Sequence, residues 1–229
     1  MLESLMTLKL LSMLDSRIAF LDGDVLARPV TRTLVILTAQ IIGPKVTWSH
    51  LAEVQGNRNS PPAAKSVTWV RNALGRELSP TGKSPERFIA TSTSDQQILA
   101  DAEAAGAMYL VTGNVEDFDV TDLDALGITA VNPDLFLSTI LNADAYLDVI
   151  SQIAESRKNP PQTAAYLHGR LARQHPRTVG RFAALFPSEF SPPTHLEPST
   201  LFRGHRCIEC GNLPNQELTL GLCTDCQLD

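Results

Sequence analysis

The first 206 residues of this chain contain no cysteine; all four cysteines fall in the last 23. A disulfide framework is therefore excluded for the body of the protein, which must hold itself together by packing. Aromatic residues make up only 6%, so the core is expected to be mainly aliphatic. Long apolar runs are missing as well. The most apolar stretch, Leu34 to Ile42, is too short to span a bilayer and is interrupted by Thr38 and Gln40. The N-terminus, MLESLMTLKLLSML, has Glu3 where a signal peptide carries basic residues, and it lacks a clean small-residue cleavage site. It reads as a short helix or a ragged start. Cytoplasmic residence with no membrane contact is the expectation. Net positive charge is missing too: the formal charge is −6 over 229 residues. That argues against a generally basic nucleic-acid binder but not against RNA as a substrate, because local charge matters more than the total.

The charge is unevenly placed. Residues 1–147 carry 11 basic and 17 acidic side chains, residues 148–186 carry 6 and 2, and residues 187–229 carry 2 and 6. A basic segment lies between two acidic ones. The most informative acids lie in 91–118, TSTSDQQILADAEAAGAMYLVTGNVEDF. Asp95 stands at the mouth of an expected helix that Thr93 or Ser94 caps and Gly106 ends. The apolar run Met108–Val111 follows as a strand and stops at Thr112-Gly113-Asn114. Glu116, Asp117 and Asp119 come next. Helix starts and strand ends are where an α/β sheet gathers side chains on a ligand. Clustered carboxylates repel one another unless a cation sits among them, so the pattern suggests a divalent metal site.

Alternation along the chain supports an α/β fold with a parallel sheet. Arg17–Leu21 reads as a first strand, closed by Asp22 and a tight turn at Gly23. A helix over Thr31–Ile42 and a strand over Val46–Trp48 follow. Ser49 caps a helix holding Leu51, Glu53 and Val54. Residues 56–66 are rich in turn formers, a helix is possible over Ala63–Leu74, and residues 78–87 form a loop. Val120–Leu126 is a short helix and Ile128–Val131 a strand. Pro133 opens a helix behind Asn132. Beyond residue 147 the strand signal disappears. Residues 144–157 and 162–186 read as helices, and 187–204, with four prolines, as a linker.

Three segments resemble the PIN-domain family, metal-dependent ribonucleases that include many bacterial VapC-type toxins. FLDGDVL (20–26) looks like its first acidic motif. DQQILADAEAAGAMYLVTGNVEDF (95–118) looks like its third-acid helix and the next strand. ITAVNPDLFL (128–137) looks like its last strand and final helix. The resemblance implies a Rossmann-type parallel sheet flanked by helices over residues 15–147. It implies four metal-binding, catalytic acids: Asp22, Glu53, Asp95 and Asp117, holding Mg²⁺ or Mn²⁺. Glu53 also reads as an ordinary exposed helix acid, and Glu116 is the alternative to Asp117. Asn114 stands where many relatives have Asp, and Asp24 where they often have Asn; Asp24 could add a ligand or only cap a turn. Asp101, Glu103, Asp119, Asp122 and Asp124 read as solvated surface charges. The implied activity is endonucleolytic hydrolysis of single-stranded RNA by the toxin of a toxin–antitoxin pair, with an antitoxin protein and a homodimer as partners. Two alternatives stay open: a non-catalytic PIN scaffold binding RNA or protein, and an RNA-processing nuclease of the ribosome-maturation type.

Two further segments carry chemistry. Cys207-Ile-Glu-Cys210 and Cys223-Thr-Asp-Cys226 are two knuckles that can close on one tetrahedral Zn²⁺, making 205–229 a zinc-ribbon-like module; paired disulfides are the alternative reading. In the helical extension 148–186, Arg170, Arg173, Arg177 and Arg181 recur at helical spacing, provided one helix runs through Pro176. Such a stripe could carry an RNA backbone, and a solvated face is the plainer reading. His168 and His175 read as surface histidines.

Overall fold

Short, mostly apolar segments form the sheet, apart from the exposed Lys45 that opens one of them. Ile18–Leu21 (β1), Lys45–Thr47 (β2), Tyr109–Val111 (β3) and Thr129–Val131 (β4) lie in the order β2-β1-β3-β4, all parallel. Every residue of β3 and β4 is buried. Parallel strands covered by helices on both faces bury all their side chains, so they read as continuous apolar runs without alternation. The computed structural model describes residues 17–158, 160–187 and 201–208, together with Leu218 and Leu222. The expected N-terminal helix and Cys210, Cys223 and Cys226 of the expected zinc module lie outside the described residues.

The strand Phe202–Arg203 (β5) completes the sheet by pairing antiparallel with β4. It lies within the stretch expected to be a linker. Leu201 is fully buried, and its carbonyl accepts the Asn132 N–H at 2.6 Å. The segment beyond is also docked. The Arg206 N–H donates to Thr129 Oγ1 and its Nε to the Gly127 carbonyl, while Tyr109 Oη donates to the Cys207 carbonyl. The expected zinc module is thus joined to the sheet edge at its first cysteine, which is buried.

Gly23 does not make a turn. It opens a short helix, Gly23–Ala27 (α1), followed at once by Pro29–Ile42 (α2). Its lack of a side chain serves a close contact with His50–Asn59 (α3): a Cβ on Gly23 would lie 2.6 Å from Gln55 Cβ, and one on Gly56 2.7 Å from Leu26 Cβ. The turn formers from Gly56 onward therefore do not break α3, which runs to Asn59 because Gly56 is where it meets α1. Val67–Ala73 (α4), Gln96–Ala104 (α5) and Val120–Leu126 (α6) follow. Gly106, at φ +67°, closes the turn from α5 into β3.

Pro133–Ile140 (α7), Ala143–Ser156 (α8), Ala164–Leu171 (α9) and Pro176–Arg181 (α10) complete the α-helices among the described residues. The boundary read at residue 147 falls inside α8, whose Tyr146, Val149 and Ile150 join the same core as the strands. The single helix read over 162–186 is broken. Pro176 cannot donate to the preceding turn and starts α10 instead. The Asp134 carboxylate receives the freed N–H groups of Arg177 and Thr178, at 2.9 and 3.0 Å. The arginine stripe is broken with it: Arg181 donates to the Ser138 and Thr139 carbonyls, and Arg170 lies over the Tyr166 ring.

Both histidines read as surface residues are buried. His168 Nδ1 lies 2.8 Å from Tyr146 Oη, and Tyr146 stacks on Phe182. His175 Nε2 lies 3.0 Å from Thr31 Oγ1. Two acids read as solvated are buried as well. Asp101 accepts from the Gly82 N–H and Gln97, and Asp122 from the Thr91 N–H, so each satisfies a loop that packs on its helix. No helix among the described residues is long and apolar enough to cross a membrane.

Candidate acidic site at the carboxyl edge of the sheet

The strand order changes direction at β1: β2 lies on one side, β3 and β4 on the other. Such a switch point leaves a crevice beyond the carboxyl ends of the two central strands. Asp22 follows β1 there, and Thr112-Gly113-Asn114 follows β3. The two loops are tied together. The Asp22 N–H donates to the Val111 carbonyl at 3.1 Å, and Thr112 Oγ1 donates to Asp22 Oδ2 at 2.8 Å. Asp22 Oδ1 accepts from the Gly23 N–H at 2.5 Å, so the same carboxylate caps α1.

Asp24 reaches the same place. Its Oδ2 accepts from the Gly113 N–H at 3.0 Å and lies 3.3 Å from Arg28 Nη2. The close approach requires glycine, because a Cβ at position 113 would sit 2.3 Å from Asp24 Oδ2. The other Asp24 oxygen, Oδ1, is buried and has no hydrogen-bond partner. Burial, the neighbouring Asp24 charge and Asp95 together push the Asp22 carboxyl up to about 7, against the hydrogen bonds from Thr112 and Gly23. Asp24 is raised as well, chiefly by burial.

Asp95 occupies the N-cap position of α5, a role expected of Thr93 or Ser94. Its carboxylate makes no bond to the helix N–H groups. Instead Oδ2 accepts from the Ser92 and Ser94 hydroxyls, at 2.5 and 2.8 Å. Ser94, one of the two hydroxyls expected to cap the helix, orients the acid instead, together with Ser92. Asp117 lies on a short 3₁₀ turn, Val115–Asp117, whose carbonyl end accepts the Ser92 N–H. Its carboxyl is raised by burial and by the charges of Asp95 and Glu116, while Arg203 lowers it. Asp24, Asp22, Asp95 and Asp117 therefore form one electrostatically linked group.

Glu53 is engaged elsewhere. Its two oxygens accept from Trp48 Nε1 (3.2 Å), Thr68 Oγ1 (2.8 Å) and Arg71 Nε (2.7 Å). Burial works against its charge, but the Arg71, Thr68 and Trp48 bonds outweigh it and hold the carboxyl below its usual range. A carboxylate saturated this way welds α3 to α4. It is neither the exposed helix acid nor part of the linked group.

The donor chemistry suits a hard divalent cation: all oxygens, an excess of negative charge, and one buried carboxylate oxygen without a partner. The ligand set is not preassembled, for among the described residues no three His, Cys, Asp or Glu side chains form a group able to hold one ion. Asp24 read from sequence as either a further ligand or a turn cap, and Arg28 was given no role; their i, i+4 spacing was the available signal.

The fold defines an α/β protein with a mostly parallel five-stranded sheet flanked by helices, compatible with a Rossmann-like architecture, and an acidic group at its switch point. No family model, curated protein or solved structure matches the chain.

Proposed function

We propose that this protein is a metal-dependent endoribonuclease acting on single-stranded RNA, as its resemblance to the PIN-domain family implies. The observation that carries the reading is the linked group at the switch point. Asp22 is held at about 7 by burial and by other carboxylates, and such repulsion is relieved by a cation. Asp22, Asp95 and Asp117 would hold Mg²⁺ or Mn²⁺, with Asp24 taking the place that the resemblance gave to Glu53. The ion, when bound, supplies an activated water and charge neutralisation at phosphorus. Ser92, Ser94 and Thr112 orient the acids by hydrogen bonds. The Gly113 N–H and Arg28 hold Asp24.

The toxin role with an antitoxin partner, a homodimer, and Zn²⁺ at Cys207, Cys210, Cys223 and Cys226 belong to the same proposal. Purified protein with Mn²⁺ is expected to cut single-stranded RNA, and Asp95→Asn to lose most of that activity. Full activity in that variant removes the assignment. The scaffold alternative draws support from the ligand set that is not preassembled; absence of Mn²⁺ binding at millimolar concentration would favour it.

A further inference from the structure

Two hollows run end to end beside the acidic group. The first, of about 400 Å³, has Asp24, Arg28, Asn59, Pro61 and Gln174 in its walls. The second, of about 380 Å³, has Arg28, Arg173, Gln174 and His175. Arg28 and Gln174 belong to both, so the hollows form one groove. It starts at Asp24, in the linked acids, and leads to the turn between α9 and α10.

The groove carries two guanidinium groups, Arg28 and Arg173, beside two carboxylates, Asp24 and Asp134. Arg28 is half-exposed and points its guanidinium toward Asp24 and Gly113. Arg173 is exposed in the α9–α10 turn. Of the four arginines expected to form a stripe, it is the one that lines this groove. The acid in the second hollow, Asp134, has both oxygens engaged, by the amides of Arg177 and Thr178 and by the Thr178 hydroxyl. His175 is 2% exposed, and its Nδ1 has no hydrogen-bond partner; the nearest acid oxygen is 3.9 Å away on Asp134. A buried, unmet polar atom in the wall of a groove is a place for a ligand group. Asn59 and Gln174 add amides, which hydrogen-bond phosphate or sugar alike.

We infer that this groove seats the sugar–phosphate backbone of single-stranded RNA and leads it to the acidic group, with Arg28 and Arg173 contacting successive phosphates. Arg28 is a positioning residue, because it spans the acids and the track. The inference rests on the proposed nuclease reading for its direction, but its own content is binding, and binding can be measured with catalysis silent.

The probe is a fluorescein-labelled, unstructured RNA oligonucleotide, titrated with the full chain in EDTA and followed by anisotropy. Arg28→Ala/Arg173→Ala is expected to weaken binding about tenfold or more, since each lost phosphate contact removes released counterions. The slope of log K against log salt is expected to fall by about 1.4, from roughly 0.7 for each contact to a single strand. Arg173→Glu alone, at an exposed position, is expected to weaken binding with an unchanged circular dichroism spectrum. An oligonucleotide with an uncharged backbone is expected to bind poorly to the parent protein. Lys45→Ala/Lys83→Ala removes two exposed charges outside the groove and is the control. Parent-like binding by both arginine variants, or an equal loss in the lysine control, overturns the track. A duplex bound as tightly as the single strand overturns its specificity for single strands. Normal cleavage with arginine-independent binding removes the track and leaves the nuclease. Arginine-dependent binding without cleavage removes the nuclease and leaves the track.

Discussion

Replacing Asp22 with asparagine is expected to stabilise this protein at pH 8 and to do little at pH 4. The carboxyl ionises near 7 in the fold against 3.8 in an open chain, because burial and the charges of Asp24 and Asp95 oppose its ionisation. The sign follows from proton linkage. Where a folded-state value is raised, the folded state binds more protons, so stability is greatest below the unfolded value and falls as pH rises through the folded one. Once Asp22 is fully charged the loss is up to about 4 kcal/mol. Asparagine keeps an acceptor for the Gly23 N–H but loses the charge-assisted bond from Thr112, a cost of about 1–2 kcal/mol. The net gain at pH 8 is therefore about 2–3 kcal/mol, or roughly 5–10 °C in a chain of this size. Differential scanning fluorimetry of both proteins from pH 4 to 8 measures it. The difference between them matters, because His175 drives the parent curve the other way over part of that range. Millimolar Mn²⁺ at pH 8 is expected to raise the parent melting temperature more than the variant's. A variant no more stable than the parent at pH 8, or a difference independent of pH, would refute the reasoning.

Glu53→Gln is expected to cost about 1–3 kcal/mol in urea unfolding, because it leaves Arg71 without its charge partner, yet to keep the parent's Mn²⁺ affinity by calorimetry; a loss of Mn²⁺ binding would return Glu53 to the site. Gly113→Ala directs its Cβ at the ends of two side chains, Asp24 and Arg28, which can swing away. Its stability change is expected to stay under about 1 kcal/mol while RNA cleavage falls at least tenfold. Gly82→Ala is the contrast, since its Cβ would lie 2.1 Å from the Ala100 backbone, which cannot yield, and soluble expression is expected to fail. His175 is held down to about 4, first by burial and then by Arg28, against the pull of Asp134. It stabilises the fold above about pH 6.5, and that contribution is lost as pH falls toward 4. His175→Gln is expected to flatten unfolding free energy against pH over this window by up to about 3 kcal/mol, followed by urea unfolding at each pH.

Most of the sheet was legible in the sequence because buried parallel strands are written as short, largely apolar runs, as in IAFL and YLV; β2, KVT, was legible from Val46, the one residue of it that is buried. The caps Ser49 and Asn132 and the helix stop at Gly106 were equally local. Asp22 and Asp95 could be picked out because strand ends and helix starts can be located without tertiary information. Glu53 could not be placed correctly, since what decides its role is Arg71, Thr68 and Trp48, brought in by elements 5 to 18 residues away. His175 looked exposed because its partner Thr31 lies 144 residues earlier. The arginine stripe depended on a helix surviving Pro176, and the proline prevailed. β5 was hidden by brevity: two residues beyond a proline-rich stretch carry no periodicity, and only the open edge of β4 gives them a purpose.

That last strand has a consequence for synthesis. A ribosome releases β1 to β4 long before it makes Phe202 and Arg203. During that interval β4 presents an unpaired row of amides and carbonyls, the kind of edge that recruits strands from other molecules. The nascent protein is therefore most vulnerable to self-association in the interval after its core is complete, and chains truncated before residue 201 are expected to aggregate even with every proposed acid in place.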